Sequence, residues 1–178
     1  MKALLDGLLP RLFPGMEFLC IAHEGKHDLR QSVPRKLKAW REPGVRFIVL
    51  HDNDGRDCKA LKKEIADLCR QGNKPETLIR IVCQELEAWY FGEPEALAEA
   101  YQKEELKTLN YQARYRISDE IVKPSDELMS IIPEFQKKSG ARLMGECLTR
   151  DRNRSHSFRV FLSGVRAEFN EIRGISSN

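Results

Sequence analysis

The sequence lacks the signs of a disulfide-stabilised, zinc-binding or membrane-spanning protein. Its five cysteines are scattered without a CxxC pair, and its four histidines do not lie at ligand spacing from them. No apolar run approaches the ~18–20 residues that a membrane span needs. The start, MKALLDGLLPRLFPGMEF, contains an early acid and two prolines, which argues against a signal peptide. We therefore expect a cytoplasmic protein that does not enter the membrane.

The net charge is also small, at +3, so overall charge alone does not identify a partner. The 178 residues are 41% hydrophobic and 32% charged, a composition typical of a globular protein with a core. That length suffices for one ordinary domain, with room for a small helical addition.

Three short segments, residues 17–22, 45–51 and 77–83, have the length and the β-branched or aromatic content of buried strands. The stretches between them, residues 28–40 and 58–70, place apolar side chains three to four positions apart, which predicts amphipathic helices. Strands that alternate with helices form a parallel sheet with helical crossovers. The sequence therefore predicts an α/β fold.

Beyond Cys83 the apolar residues recur with helical spacing and are interrupted by proline or polar residues. We therefore predict an α/β core over residues 1–92. Residues 93–178 form a mainly helical part, which either completes the same domain or makes a small subdomain. Residues 107–124 have no clear period, so their structure is left open.

Acidic residues follow each of the predicted strands: Glu24 after the first, Asp52 and Asp54 after the second, and Glu85 and Glu87 after the third. Ligands of parallel sheets collect at the carboxyl ends of the strands. Alternate residues of an extended segment point to one side, so Asp52 and Asp54 are expected to face the same way. Carboxylates that lie this close favour a cation between them, and Mg²⁺ prefers oxygen ligands.

Each acidic segment also has a purely structural interpretation. Asp54 followed by glycine is a common turn sequence, and Asp57 can cap the next helix. Glu85 and Glu87 can stand at a helix start, because the helix dipole favours acids there.

Two other acidic motifs can be tested by their spacing. An EF-hand loop counted from Asp52 would need a glycine at its sixth position and a glutamate where Lys63 stands, so that interpretation fails. Phosphatases of the haloacid-dehalogenase type carry Asp-x-Asp-Gly after the first strand, with a threonine next. Here Arg56 takes the place of that threonine.

A glutamate-glycine pair at Glu24, followed later by Asp52-x-Asp54, resembles the Toprim domain. This domain is the metal-binding unit shared by topoisomerases, primases and the overcoming-lysogenization-defect nucleases. The resemblance implies that Glu24, Asp52 and Asp54 hold Mg²⁺ or Mn²⁺ for phosphodiester chemistry. Glu85 or Glu87 would complete a second metal site or act as a base.

The chain resembles still more closely a bacterial family of Toprim-like domains of unknown function, often encoded beside AAA- or ABC-type ATPases in defence loci. The matching segments are EGKHD at residues 24–28, DND at 52–54 and ELEAW at 85–89, and the likeness extends through KPSDEL, SGARL and SFRVFL. It implies a Toprim-like, Rossmann-like parallel sheet with a helical C-terminal part. It also implies a role in phage defence and an ATPase partner.

Basic residues accumulate in the C-terminal third, where few acids balance them. The arginine side chain matches phosphate geometry, so such a cluster near a metal site suits a nucleic-acid backbone. We predict that this backbone is bound by Lys26, Arg142, Arg150, Arg152 and Arg154. A solvated helix face is the alternative for these residues.

Other candidates have two interpretations each. His23 and His51 precede strand-end acids, where a histidine acts as a metal ligand or base, or simply bonds to the backbone. Tyr115 stands between Arg114 and Arg116, and it either stacks on a base or packs inside the protein.

The leading hypothesis from the sequence is a Mg²⁺-dependent nuclease that acts on DNA or RNA. A second hypothesis is a regulatory or effector subunit that works by binding a partner ATPase, since the chain has no P-loop. A metal-dependent phosphohydrolase of small molecules is the third. Any of these proteins can form an oligomer.

Overall fold

The chain folds into a small parallel sheet surrounded by helices. The computed structural model describes residues 1–175, apart from the side chain of Lys26. The strands are β1 (Ile48–Asp52) and β2 (Leu78–Val82). The α-helices are α1 (Lys2–Leu12), α2 (Gly25–Ala39), α3 (Cys58–Gln71), α4 (Ala88–Phe91), α5 (Pro94–Tyr101), α6 (Pro124–Ile131), α7 (Lys137–Cys147) and α8 (His156–Ile172). Between α5 and α6 the chain forms 3-10 helices at Glu104–Tyr111, Ala113–Tyr115 and Ser118–Glu120.

The two strands pair in parallel, in a register that places Ile48 opposite Leu78 and Asp52 opposite Val82. Helix α3 is the crossover between them, so β1, α3 and β2 form one βαβ unit. The α/β class, both of these strands and the helices that flank them were predicted correctly from the sequence. The 3-10 helices occupy the segment whose structure the sequence left open.

The first predicted strand, residues 17–22, was wrong. The sheet of the described chain has two strands, and residues 17–22 join neither of them. Phe18, Leu19 and Ile21 remain 36%, 71% and 44% exposed. The apolar and β-branched content of this segment is typical of a strand. Such a segment forms a strand only where its backbone can hydrogen-bond to the edge of a sheet.

Alternate residues of the strands face two separate layers of helices. Val49, Ile79 and Ile81 point to one side and pack against α2 and α3. Leu50 and Val82 point to the other side, into the larger core, which is built from α1 and from the helices that follow β2. One core thus includes side chains from both halves of the sequence. Asp52 ends β1 at an even-numbered position, so the two-residue period of the strand directs it toward this larger core.

Helix α4 lies in the middle of the larger core. Its four residues, Ala88 to Phe91, are at most 1% exposed. Trp89 stacks on Phe161 at 5.2 Å between ring centroids, and its indole nitrogen donates to Ser157 Oγ at 2.9 Å. This packing fixes the position of the chain directly after the acidic segment that ends at Glu87.

Helices α1 and α7 pack closely because small residues line their contact. A Cβ atom at Gly145 would stand 2.8 Å from the Leu4 carbonyl oxygen, a distance that forces the backbones apart. Arg11 of α1 donates to the carbonyl oxygens of Gly145 and Leu148 and so satisfies the end of α7. In the described part of the chain, none of the helices combines the length and the apolar character that crossing a membrane requires.

The contact between α1 and α7 gives a stability prediction. Gly145→Ala is expected to lower the free energy of unfolding by about 1–3 kcal/mol, because overpacking outweighs the gain in helix propensity. Gly7→Ala on the facing helix is the matched control. The nearest atom there is the flexible Glu146 Oε1 at 2.9 Å, so its loss is expected to be smaller. Urea unfolding measures both, and a stabilised Gly145→Ala protein would contradict the packing argument.

Candidate functional site

The carboxyl ends of β1 and β2 are tied together by Asn53. Its backbone amide donates to the Val82 carbonyl at 3.0 Å, and its side-chain oxygen accepts from the Gln84 amide. Its side-chain nitrogen donates to the Arg56 carbonyl at 2.8 Å. Because Asn53 is only 6% exposed, these bonds are shielded from water. The two acidic loops are therefore held at one edge of the sheet.

Asp52 has the most perturbed carboxyl group of this edge. Its Oδ1 atom is fully enclosed and has no hydrogen-bond partner. Burial, and after it the negative charges of Glu87, Asp54 and Glu85, together raise the pKa of Asp52 from 3.8 to about 7. Four of the five predicted strand-end acids thus lie close enough for the charges of Glu87, Asp54 and Glu85 to act on Asp52.

Asp54 does not continue the strand. Its φ angle is 46°, and Gly55 follows at 75°, so the chain turns through the left-handed region directly after Asn53. The expected alternation of Asp52 and Asp54 along an extended chain therefore ends at the strand. The turn, rather than the pleat, brings Asp54 close enough to Asp52 to raise its pKa.

Glu85 and Glu87 lie in the short link between β2 and α4. Glu87 is 5% exposed, and burial raises its pKa. Glu85 is more accessible: its Oε2 accepts from the Ser125 backbone amide at 3.0 Å, and its Oε1 lies 3.7 Å from Lys137 Nζ. Glu87 is thus enclosed by the protein, whereas the charge of Glu85 is partly balanced by the Ser125 amide and Lys137.

Two further residues, Tyr90 and Lys137, lie near the acids and were not predicted from the sequence to belong to the site. The Tyr90 hydroxyl is fully buried without a hydrogen-bond partner, and its pKa is raised by burial and then by the Glu87 and Asp52 charges. Tyr90 follows Glu87 by three positions, which is one helical turn, and this spacing was the available signal. Lys137 lowers the pKa of Glu87 through its charge, but no local motif connects residues so far apart.

Glu24 occupies a different position from the other acids. It is exposed at the N-terminal end of α2, and its backbone amide donates to Asp28 Oδ2 at 3.0 Å. Gly25 follows with a φ of 81°, in the left-handed region that favours glycine. Glu24 is not among the charges that raise the pKa of Asp52. Its role as a metal ligand stays a prediction.

Both histidines are engaged in local hydrogen bonds. His23 Nδ1 lies 2.7 Å from Ser32 Oγ and 3.2 Å from Asp28 Oδ2, which fastens the start of α2. His51 Nδ1 lies 2.5 Å from the Asp52 carbonyl oxygen. His51 directly precedes Asp52 in β1, so the two side chains emerge on opposite faces of the sheet.

The donor chemistry of this edge suits a hard divalent cation. Among residues 1–175 no three histidine, cysteine or acidic side chains already form a group able to hold a metal. Mg²⁺, however, usually takes one or two carboxylates and completes its shell with water and substrate phosphate. The unpartnered Asp52 oxygen, with Asp54 and Glu87 acting on it, fits such a ligand set.

The predicted nucleic-acid-binding arginines have different environments. Arg152 pairs with the buried Glu93 at 2.9 Å, and Arg150 lies over the Phe13 ring and donates to the Leu12 carbonyl. These contacts link the loop between α7 and α8 to the end of α1 and the start of α5. Arg142 and Arg154 remain exposed. The Lys26 side chain lies outside the described part of the chain.

Tyr115 is packed inside the protein, the second of its two interpretations. It is 1% exposed, stacks on Phe91 at 4.9 Å between ring centroids and donates to Glu127 Oε2 at 2.7 Å. Arg114 covers the other part of the ring at 4.4 Å.

The raised pKa of Asp52 predicts how stability depends on pH. The folded pKa of about 7 exceeds the unfolded value of 3.8, so folding favours the protonated carboxyl. The protonated carboxyl therefore contributes its full stabilisation when the pH is below the unfolded pKa of 3.8. This contribution is lost as the pH rises through the folded pKa of about 7. Asp52→Asn, which removes this charge, is expected to stabilise the metal-free protein by about 2 kcal/mol more at pH 8 than at pH 5.

Urea unfolding in a chelating buffer measures this difference. Asp151→Asn is the matched control, because Asp151 is exposed and lies outside the acidic cluster. Its effect on the free energy of unfolding is expected to be the same at both pH values. An equal effect of Asp52→Asn at pH 5 and pH 8 would show that folding does not raise the pKa of the Asp52 carboxyl.

The comparison with protein families gives one match. The family model described as a domain of unknown function, DUF4276, matches residues 1–166. A search of curated proteins found no match, and neither did a search of solved structures. Since the matched region covers nearly all of the chain, the protein belongs to the DUF4276 family.

Proposed function

We propose that the protein is a Mg²⁺- or Mn²⁺-dependent phosphodiesterase of the Toprim type, acting on a nucleic acid. The observation that carries the proposal is the enclosed Asp52 oxygen without a partner, surrounded by further acids at the carboxyl ends of two parallel strands. Such an arrangement is costly to fold, and strongly perturbed carboxyl groups occur preferentially at functional sites.

Each residue has a role that follows from its surroundings. Asp52 and Asp54 would hold the cation, with Glu87 beside them and Glu24 as the further ligand that the resemblance implies. A bound cation would neutralise the acids, activate water and polarise the phosphoryl oxygen. Glu85 or Glu87 accepts a proton as a base. Since the pKa of Glu87 is raised by burial, this group exchanges protons closer to neutral pH than an ordinary glutamate does.

Two side chains near the acids have hydrogen-bonding capacity to offer. The Tyr90 hydroxyl has no partner among the described residues, so it can donate to an oxygen that enters the site. The Lys137 side chain is 59% exposed, and its Nζ lies 3.7 Å from Glu85 Oε1. Its positive charge there favours the approach of a phosphate group.

The polymeric substrate and the role in phage defence rest on the resemblance and on the exposed basic residues. Arg142 and Arg154 are exposed, so both are available to a nucleic-acid backbone. Arg150 and Arg152 contribute by fixing the loop between α7 and α8 to Phe13 and Glu93, rather than by contacting the nucleic acid themselves.

The proposal is tested by metal binding and by cleavage. Mn²⁺ titration of the wild-type protein is expected to give a binding isotherm that Asp52→Asn and Asp54→Asn each weaken. Cleavage of single- and double-stranded DNA and of RNA is expected to fall about 10²-fold or more in these variants, because a lost ligand misplaces the reacting groups. Glu87→Gln is expected to lose a similar factor if it is the base.

Asp151→Asn, purified in parallel, is the control for contaminating nucleases. Failure of the wild-type protein to bind Mn²⁺ would remove the main argument. Equal cleavage by the wild type and by Asp52→Asn would assign the activity to a contaminant. Hydrolysis of phosphomonoesters but not of polymers would instead identify a small-molecule phosphohydrolase.

A second candidate function is a subunit that acts by binding an ATPase of the AAA or ABC type. The observation that favours it is the exposed apolar side chains of residues 17–22, together with the sheet edge that β1 leaves unpaired in the described chain. Exposed apolar side chains and strand edges are common in protein interfaces.

Co-expression with an ATPase encoded beside the protein tests this candidate. Leu19→Asp is expected to reduce co-purification about tenfold, because it places a charge in the apolar contact. Leu143→Asp is the control, since Leu143 is also exposed, at 42%, but lies on α7. Equal recovery with both variants would exclude residues 17–22 as the contact.

A further inference from the structure

A cavity of about 170 Å³ lies between the 3-10 segment after α5 and the start of α8. Its lining includes Phe91, Gly92, Arg116, Asp119, Arg154 and His156. Neither the sequence motifs nor the acidic site explains why basic side chains from separate segments converge there.

The basic side chains of this cavity are not neutralised by ion pairs. The Arg116 guanidinium has neither an ion pair nor a hydrogen-bond partner among residues 1–175. Arg154 likewise lacks an ion pair within the described residues. Its Nη1 lies 2.6 Å from the side-chain oxygen of Asn110, a neutral partner, once the amide is oriented to satisfy both groups. Both guanidinium groups therefore keep donors for a further ligand.

The acid in the lining does not cancel these charges. Asp119 accepts hydrogen bonds from Ser155 Oγ at 2.6 Å, from the Ser157 amide at 2.8 Å and from Ser157 Oγ at 3.1 Å. Its oxygens are thus committed to the first turn of α8. With Arg116 and Arg154 the lining keeps a net positive charge even when His156 is neutral.

The cavity lies close to the acidic site. Cys83 directly follows β2, and its pKa is raised to about 11, first by burial and then by the charge of Asp119. Asp119 is therefore near the carboxyl end of β2. Phe91 in the lining is one helical turn, ~6 Å, from Glu87 at the start of α4.

We infer that this cavity binds a phosphate group of the nucleic-acid strand on which the Asp52 cluster acts. The inference rests on the proposed function and adds the contact that positions the substrate. Arginine forks form paired, charge-assisted hydrogen bonds with phosphate oxygens. The cavity walls limit the site to a small anionic group.

The test is binding of a labelled single-stranded oligonucleotide to the full chain in a chelating buffer, where no cleavage occurs. Arg116→Gln combined with Arg154→Gln is expected to weaken binding about tenfold, because both charged forks are lost. The slope of log affinity against log salt is expected to fall by about 1, since one phosphate contact disappears. Arg116→Lys combined with Arg154→Lys, which keeps the charge, is expected to retain most of the binding.

Arg35→Gln combined with Arg166→Gln is the matched control. Both of these arginines are exposed, and the double change removes the same charge outside the cavity. Affinity within about twofold of wild type is expected for it. If the cavity variant also stays within that range while folded, the inference is wrong.

A competition with inorganic phosphate separates two sources of the same chemistry. Loss of phosphate binding in the cavity variant with unchanged oligonucleotide binding would overturn the assignment to a strand and identify a site for a free anion. Oligonucleotide binding that depends on the two arginines, in a protein that never cleaves, would refute the proposed activity and leave the phosphate site standing. If cleavage is found, the cavity variant is expected to raise KM with kcat unchanged.

Discussion

Parallel pairing of β1 with β2 carries two acidic segments to the same edge of the sheet, and the site depends on this constraint. The strands are separated by α3, which returns the chain so that both strands end together. Asn53 then closes the edge by bonding to Val82 and Gln84 across the strands. Without this connection each acidic segment would be an ordinary turn or helix start.

Helix α4 completes the site by covering it from the side of the larger core. Its side chains are buried against α8, so Glu87 and Tyr90 are held where they act on Asp52. Burial disfavours the charged form of Asp52, the neighbouring acids add repulsion, and together these effects raise its pKa to about 7. The fold therefore retains an unfavourable arrangement that its extensive apolar core can offset. Such retained strain is common where a ligand relieves it.

The predicted elements show where local reasoning succeeds. Both strands of the βαβ unit and the helices beside them are recognisable from residue period and composition, which are local properties of the sequence. Residues 17–22 had equally good strand composition and still failed, since pairing depends on a partner edge elsewhere in the chain. That error also placed Glu24 after a strand, whereas it begins α2. Strand alternation was also the wrong basis for placing Asp54 beside Asp52, because a left-handed turn and not an extended strand brings it there.

Local period and chemistry were enough to predict the α/β class, the strands and helices of the βαβ unit, and acidic residues directly after both strands. Which basic residues hold the fold and which remain available depends instead on contacts between distant segments. Arg150 and Arg152 are committed to Phe13 and Glu93, while Arg154 meets Arg116 at a cavity. Helix packing also brings Lys137 to the acids. Such long-range partners depend on how helices pack, and no local pattern of residues encodes that packing.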